Sequence, residues 1–253
     1  MINRHLRRGA LTENFHMKAL VIIPTYNEAA NIAAVIPQVL AAATCLEVLV
    51  VDDNSPDGTG RIVDQLAVSN PRIHVLHRPA KLGLGTAYIA GFQYAVNRKY
   101  DFVLEMDADL SHDPKCLPDF LSAMNSADVV IGSRYLNGVN VVNWPMHRLL
   151  LSFLANWYAR LITGLPLRDL TSGFKCFRCA VLEAVDLSRV TSEGYAFQIE
   201  MNYLCWRRKF TIREIPIVFT DRTQGKTKMD RRVIFEAVWI VWQLKLLSWL
   251  GRI

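Results

Sequence analysis

The sequence predicts an α/β fold with a mostly parallel sheet. Short apolar runs alternate with helical stretches along the first half of the chain, which is the pattern of βαβ units. Three of those runs end directly in polar clusters, and in an open α/β sheet ligands bind beyond the carboxyl ends of the strands. At 253 residues the chain is long enough to bury a sizeable core.

The first strand is expected over 17–23, ended by Pro24. Asn27 or Asn31 then caps a helix running to about Ala43. A second strand (46–52, LEVLVVD) leads into the turn cluster 53–58, with a helix from Thr59 to about Ser69. The third strand lies at 72–77, and Gly83-Leu84-Gly85 introduces a helix to about Arg98. A fourth strand at 101–106, a helix at 114–125 and a fifth strand at 128–131 complete the alternating region.

The pattern then changes. Residues 146–163 read as a helix in which Arg148, Ser152, Asn156 and Arg160 recur every fourth position, a narrow polar stripe on a broad apolar surface. After a mixed region to about Phe219 come a basic loop, 221–232, and a very apolar helix, 233–250, with Trp239, Trp242 and Trp249. Glu236, Gln243 and Lys245 interrupt that helix, which argues against a spanning segment. Tryptophans with flanking arginines suit a helix lying in a membrane interface. The competing reading is a helix packed into a protein core or an oligomer interface. The domain plan is therefore a flexible basic leader (1–16), a catalytic domain (17–230) and a C-terminal interfacial helix (231–253).

The net charge of +6 fits nucleic acid, acidic lipid or a phosphorylated substrate without choosing among them. The basic residues are scattered or tied to the expected cleft, with no zinc-finger or basic-helix signature, so no nucleic-acid partner is expected. The five cysteines are odd in number and irregularly spaced, and Cys176-Phe177-Arg178-Cys179 lacks a second metal-ligand pair. They read as reduced thiols in a cytosolic protein. The leader has no apolar stretch of the secretory kind.

Asp107 and Asp109 stand two apart at the end of the fourth strand. Two carboxylates there attract a hard divalent cation, Mg2+ or Mn2+, which bridges phosphates and neutralises a diphosphate leaving group. Asp52 and Asp53 end the second strand, where an Asp accepts hydrogen bonds from a nucleobase or ribose. At the first strand end, Tyr26 is placed to pack on a base and Glu28 to accept from a ribose hydroxyl. Turn chemistry and helix capping are the alternative for each cluster, and are preferred for Asn54, Ser55, Pro56 and Gly58.

The motifs PTYNE, VDDNSPDGT, KLGLGTAYIAGF, MDADLSHDP, GSRY, NWP, TSGFK, FQIEM and DR-x-x-GKTK occur in this order. Together they resemble the family 2 glycosyltransferases, and within them the polyprenol-phosphate (dolichol-phosphate) mannosyltransferases. The resemblance implies a GT-A type, Rossmann-like domain and transfer of mannose from GDP-mannose to a polyprenyl phosphate. It implies that Pro24, Tyr26, Glu28, Val51 and Asp53 hold the guanosine part. Asp107, Ala108 and Asp109 would take the diphosphate and metal, and Arg134, Arg222 and Lys228 the phosphates or transferred sugar. Arg134, Arg148, Ser152 and Arg222 would meet the acceptor phosphate. Some relatives carry a Gln metal ligand two residues beyond the second Asp; here that position is Ser111.

A lipid phosphate is already a nucleophile, so no strong general base is demanded. The protein must instead hold two anionic reactants together, a task for Arg134, Arg148, Arg222, Lys226 and Lys228. Asp169 either orients the sugar or acceptor, or caps the loop before Thr171-Ser172-Gly173. Competing functional readings are a polyprenyl-phosphate glycosyltransferase using a UDP-sugar, and a non-catalytic membrane-recruited subunit. The expected location is the cytoplasmic face of a membrane, with an anchor subunit as a possible partner.

Overall fold

The computed structural model describes residues 17–190, 192–221 and 231–251, with backbone alone for 231–237. The basic leader 1–16, and Arg222, Lys226 and Lys228 of the basic loop, lie outside the described residues.

The alternating half comprises β1 (Ala19–Thr25), α1 (Ala29–Ala42), β2 (Leu46–Asp52), α2 (Thr59–Ser69), β3 (Ile73–His77), α3 (Leu84–Asn97), β4 (Phe102–Glu105), α4 (Leu117–Ala123) and β5 (Val129–Ser133). Then come β6 (Val141–Val142), α5 (Met146–Thr163), β7 (Lys175–Arg178), α6 (Cys179–Ala184), α7 (Gly194–Arg207), β8 (Ile212–Pro216), β9 (Phe219–Thr220) and α8 (Arg231–Trp249). The main sheet has the order β3-β2-β1-β4-β7-β5-β8. Every pair is parallel except those of β7, which runs antiparallel to both β4 and β5. β6 and β9 form a small parallel pair of their own.

The central strands are apolar on both faces because both are covered. Leu20 and Ile22 of β1 join a core shared with α3, α5, α7 and α8, while Ala19, Val21 and Ile23 join a second core beneath α1 and α4. Successive residues of a strand point to opposite faces, so one five-residue run serves two cores. β1 lies between β2 and β4, and the chain departs in opposite directions from it. That is a topological switch point, and a crevice opens beyond the carboxyl ends of β1 and β4.

Neither Asn27 nor Asn31 caps α1. Asn27 adopts a left-handed conformation (φ 60°) before the helix starts. The first-turn donors are met instead by the turn after β2: Asn27 N–H donates to Ser55 Oγ (3.1 Å), Glu28 N–H to Thr59 Oγ1 (3.0 Å) and Ala29 N–H to Asp57 Oδ2 (3.0 Å). A helix start needs acceptors for its orphan amides, and here another loop supplies them.

The stripe on α5 faces the other way from an ordinary amphipathic helix. Asn156 is buried, accepting from Leu170 N–H (2.7 Å) and donating to Ser152 O (2.9 Å) and Thr171 Oγ1 (3.2 Å). Ser152 accepts from the Tyr135 hydroxyl (2.8 Å), whereas Arg160, on the same stripe, is exposed. The outward face is apolar: Leu150, Phe153, Leu154, Trp157 and Leu161 all stand in solvent, Trp157 57% and Leu161 64% exposed. α8 packs beside it. Ile240, Val241 and Leu244 enter the core, Trp242 Nε1–H donates to the Tyr158 hydroxyl (2.8 Å), and Trp239 and Trp249 point outward. No helix of the described residues is long and apolar enough to cross a membrane.

Candidate active site

The crevice beyond β1 and β4 is a cleft of about 450 Å³. At one end it is lined by Pro24, Tyr26, Glu28, Asp53 and Lys81, in the middle by Asp107, Ala108 and Asp109, and at the other end by Arg134, Trp144 and Arg148. The three polar strand ends thus meet in one place.

At the first end, the Lys81 ammonium sits 4.5 Å from the centre of the Tyr26 ring. Asp53 is buried and paired with Arg78, and its other oxygen accepts from Leu82 N–H (3.1 Å). Arg78 also donates to Gly83 O and Thr86 Oγ1 (both 2.8 Å), tying the turn after β2 to the loop before α3. Asp52 does not reach the cleft. It accepts from Thr25 Oγ1 (3.0 Å) and from Ser55 Oγ (2.5 Å) and N–H (3.0 Å), so it builds the turn. Val51, of the expected guanosine set, is the last residue but one of β2, and its side chain is wholly buried in the core on the α3 side.

In the middle, Asp109 Oδ1 accepts from both the hydroxyl (2.6 Å) and the N–H (3.1 Å) of Ser111. Ser111 is buried and does not line the cleft, so it orients Asp109 rather than standing as a ligand itself. His112 accepts the Asp107 N–H at Nδ1 (3.1 Å) and stacks on Phe174 (4.7 Å). Burial pushes its imidazole down to about 4, against the pull of Asp109, so the ring is neutral near pH 7. Two carboxylates on one loop, one of them fixed by Ser111, are oxygen donors of the kind that suits a hard divalent cation bridging phosphates. Among the described residues no group of three or more His, Cys, Asp and Glu side chains is placed to hold a metal ion.

At the far end, Asp169 grips Arg134: Nε donates to Oδ2 and Nη2 to Oδ1, both at 2.7 Å, and Nη2 also reaches Thr171 Oγ1 (2.7 Å). Burial opposes the guanidinium charge, but Asp169 overrides it and raises the pKa further. Asp169 is wholly buried and fixes Arg134 rather than standing in the cleft itself. Arg148 lies 4.2 Å from the centre of the Trp144 ring and pairs with Asp221 (2.7 Å). Ser152 does not line the cleft, and its hydroxyl accepts from the Tyr135 hydroxyl (2.8 Å).

Several lining residues escaped the sequence reading. Lys81 follows the third strand, behind the buried Arg78 that pairs with Asp53. Glu193, Tyr195 and Gln198 come from α7 and the loop before it. Glu193 Oε2 accepts from Gly85 N–H (2.8 Å), and a Cβ on Gly85 would stand 2.3 Å from Ser192 O, so only glycine lets this loop close over α3.

Residues 20–186 match the family model for glycosyl transferase family 2, and the chain belongs to that family. It is a glycosyltransferase with a GT-A type fold. It is 47% identical over 226 residues to a polyprenol monophosphomannose synthase of Mycolicibacterium smegmatis, covering 88% of this chain and 85% of that protein. It is 46% identical over 222 residues to an undecaprenyl-phosphate mannosyltransferase of Micrococcus luteus, covering 88% and 91%. Among solved structures, glucosyl-3-phosphoglycerate synthase from Mycobacterium tuberculosis, in complex with Mn2+, UDP and glucosyl-3-phosphoglycerate, superposes with a TM-score of 0.62 at 18% identity. That match covers 93% of this chain and 80% of the other, a likeness of fold.

Proposed function

We propose that the protein transfers mannose from GDP-mannose to a polyprenyl phosphate, with a divalent cation, Mg2+ or Mn2+, at Asp107 and Asp109. The observation that carries this reading is the arrangement of one cleft: a nucleoside end, a carboxylate pair and a cationic end, in that order. The similarity to two polyprenyl-phosphate mannosyltransferases supports the sugar and the acceptor. When bound, the cation would neutralise the departing diphosphate. Tyr26, Glu28 and Asp53 would seat the guanosine. Arg134 and Arg148 would hold the acceptor phosphate, with Arg222 and Lys228 as further cations expected at the phosphates.

The acceptor brings its own charged nucleophile, so the protein's part is positioning and charge balance. Asp169 takes up the Nε–Nη2 edge of Arg134, and Thr171 the remaining hydrogen of Nη2. Direct displacement at the anomeric carbon inverts configuration, giving a β-linked lipid phosphate from an α-linked donor. The outward apolar faces of α5 and α8 support seating in a membrane interface, on its cytoplasmic face where the nucleotide-sugar is available. Arg148 begins the inner side of α5, so it would meet a phosphate headgroup presented at that surface. An anchoring subunit remains part of the proposal.

The test is turnover of radiolabelled GDP-mannose onto a short polyprenyl phosphate with Mg2+ or Mn2+, beside UDP-glucose and UDP-amino-sugar donors. We expect product from GDP-mannose alone, with β configuration. Transfer from a UDP-sugar only would overturn the donor, and no metal-dependent transfer from any donor would favour a non-catalytic role.

A further inference from the structure

The small β6–β9 pair stands apart from the main sheet, yet it gathers the cationic end of the cleft. Asn140 N–H donates to Arg134 O (2.9 Å), Phe219 N–H to Asn140 O (2.9 Å) and Asp221 N–H to Val142 O (3.0 Å). These bonds tie the chain after Arg134 to the strand that leads into Asp221. Between β6 and α5, Asn143 takes a left-handed conformation (φ 62°), which asparagine tolerates better than most residues. Pro145 follows with φ −66°. Trp144 is thus held between a bend and a fixed proline, and α5 starts at once, with Arg148 in its first turn.

Trp144 is half-buried in the cleft wall beside two cations. The Arg148 guanidinium lies 4.2 Å from its ring centre and the Arg134 guanidinium 5.5 Å. Arg134 also stands 5.7 Å from the Phe219 ring, which meets Trp144 edge-on at 5.4 Å. The indole is therefore held in turn by the strand that frames it.

Two guanidinium groups at one wall repel each other. Each has a carboxylate, Asp169 for Arg134 and Asp221 for Arg148, and both meet Trp144. An aromatic face attracts a cation through its quadrupole yet carries no net charge. A carboxylate in its place would hold the arginines too, but would repel a phosphate entering the cleft. The ring steadies both cations and leaves them open to an anion.

We infer that Trp144 is a positioning residue for the acceptor phosphate, spacing Arg134 and Arg148 so that one anion meets both. This inference rests on the acceptor reading of the cationic end and adds the residue that sets its geometry. Trp144 takes no part in bond making or breaking.

The test compares the full chain with Trp144→Leu, with Trp144→Phe, which keeps a ring face, with Arg148→Ala, and with the double variant Trp144→Leu/Arg148→Ala. Thermal unfolding, calorimetric binding of GDP, and steady-state kinetics are measured with the divalent cation present, varying a short polyprenyl phosphate and GDP-mannose in turn. For Trp144→Leu we expect KM for the polyprenyl phosphate to rise about tenfold, as loss of two cation–ring contacts does. GDP affinity and KM for GDP-mannose should stay within about twofold. Trp144→Phe should recover most of the loss. In the Arg148→Ala background, Trp144→Leu should add only about threefold, because one of its two cations has gone.

The full tenfold effect in both backgrounds would make Trp144 independent of Arg148 and overturn the inference. So would an unchanged acceptor KM, or a phenylalanine variant no better than the leucine one. A lower Tm with equal weakening of GDP and acceptor would mark a merely structural role and overturn it as well. Should Arg148→Ala raise KM for GDP-mannose and not for the polyprenyl phosphate, the acceptor reading fails separately. Coupling of Trp144 to Arg148 in the donor KM would then uphold the spacing role, and additivity would overturn it.

Discussion

Arg134 and Asp169 meet edge to edge, with two hydrogen bonds of 2.7 Å, and Asp169 is wholly buried. The cation at the far end of the cleft is thus half neutralised before any substrate arrives. Removing one partner of a buried pair strands the other. We expect Asp169→Asn to cost about 3–5 kcal/mol in urea unfolding. Turnover should fall with it, because Arg134 would lose its orientation. Normal stability would place the pair at the surface rather than in the core.

Asp109 depends on Ser111 for two hydrogen bonds to one oxygen. Asp109→Ala should abolish transfer together with metal dependence. Ser111→Ala should weaken the apparent metal affinity roughly tenfold, as loss of an outer partner does, with full activity restored at high metal. Titration of Mg2+ or Mn2+ against initial rate checks both. Removal of metal by a chelator should stop turnover reversibly.

Arg148 is shared between the Trp144 face and the Asp221 carboxylate. For Arg148→Ala we expect KM for the polyprenyl phosphate to rise about tenfold or more, with KM for GDP-mannose little changed. The reverse pattern would assign Arg148 to the donor. Steady-state kinetics with each substrate varied in turn distinguishes them.

Trp157 and Leu161 lie on the outward face of α5. Replacing both with glutamate should reduce sedimentation with liposomes at least severalfold and leave Tm within a few degrees, since the side chains already stand in water. Truncation at Asp230 tests α8 in the same assay. Unchanged partitioning in both would remove the membrane interface from the proposal.

Far from the cleft, Glu47 accepts from the Tyr100 hydroxyl and meets His74 Nε2, each at 2.6 Å. Partial burial opposes its charge, but these partners prevail and hold its pKa below the ordinary value. A carboxyl held low stabilises the fold at pH above its unfolded pKa, and that contribution is lost as pH falls through the folded value. Glu47→Gln should therefore be less stable than wild type at pH 7, with the gap closing below about pH 4. Urea unfolding across that range measures it.

The alternating half of the fold was legible because a strand covered on both faces writes a continuous apolar run, and turn residues punctuate it. β2, α2 and α5 fall at their expected limits. Asp107, Asp109, Arg134 and Arg148 could be placed at one cleft because they sit in distinctive strings at element ends. Other features could not be read. Periodicity locates the stripe on α5 but does not say which side faces the core, and here the polar side does. Gln198 sits inside a buried helix, where nothing in FQIEM tells a cleft-lining amide from a core one.

The borrowed start of α1 bears on how the chain assembles. Its first amides wait for acceptors 28 to 31 positions further along. During synthesis the beginning of that helix is complete only once Thr59 has emerged and β2 has docked beside β1. Glu28 is then set in place by Asp57 and Thr59, neither of which lines the cleft. That end of the cleft is accordingly shaped by a turn that does not touch it, and a lesion in the turn would surface as slow maturation of an enzyme whose cleft residues are all intact.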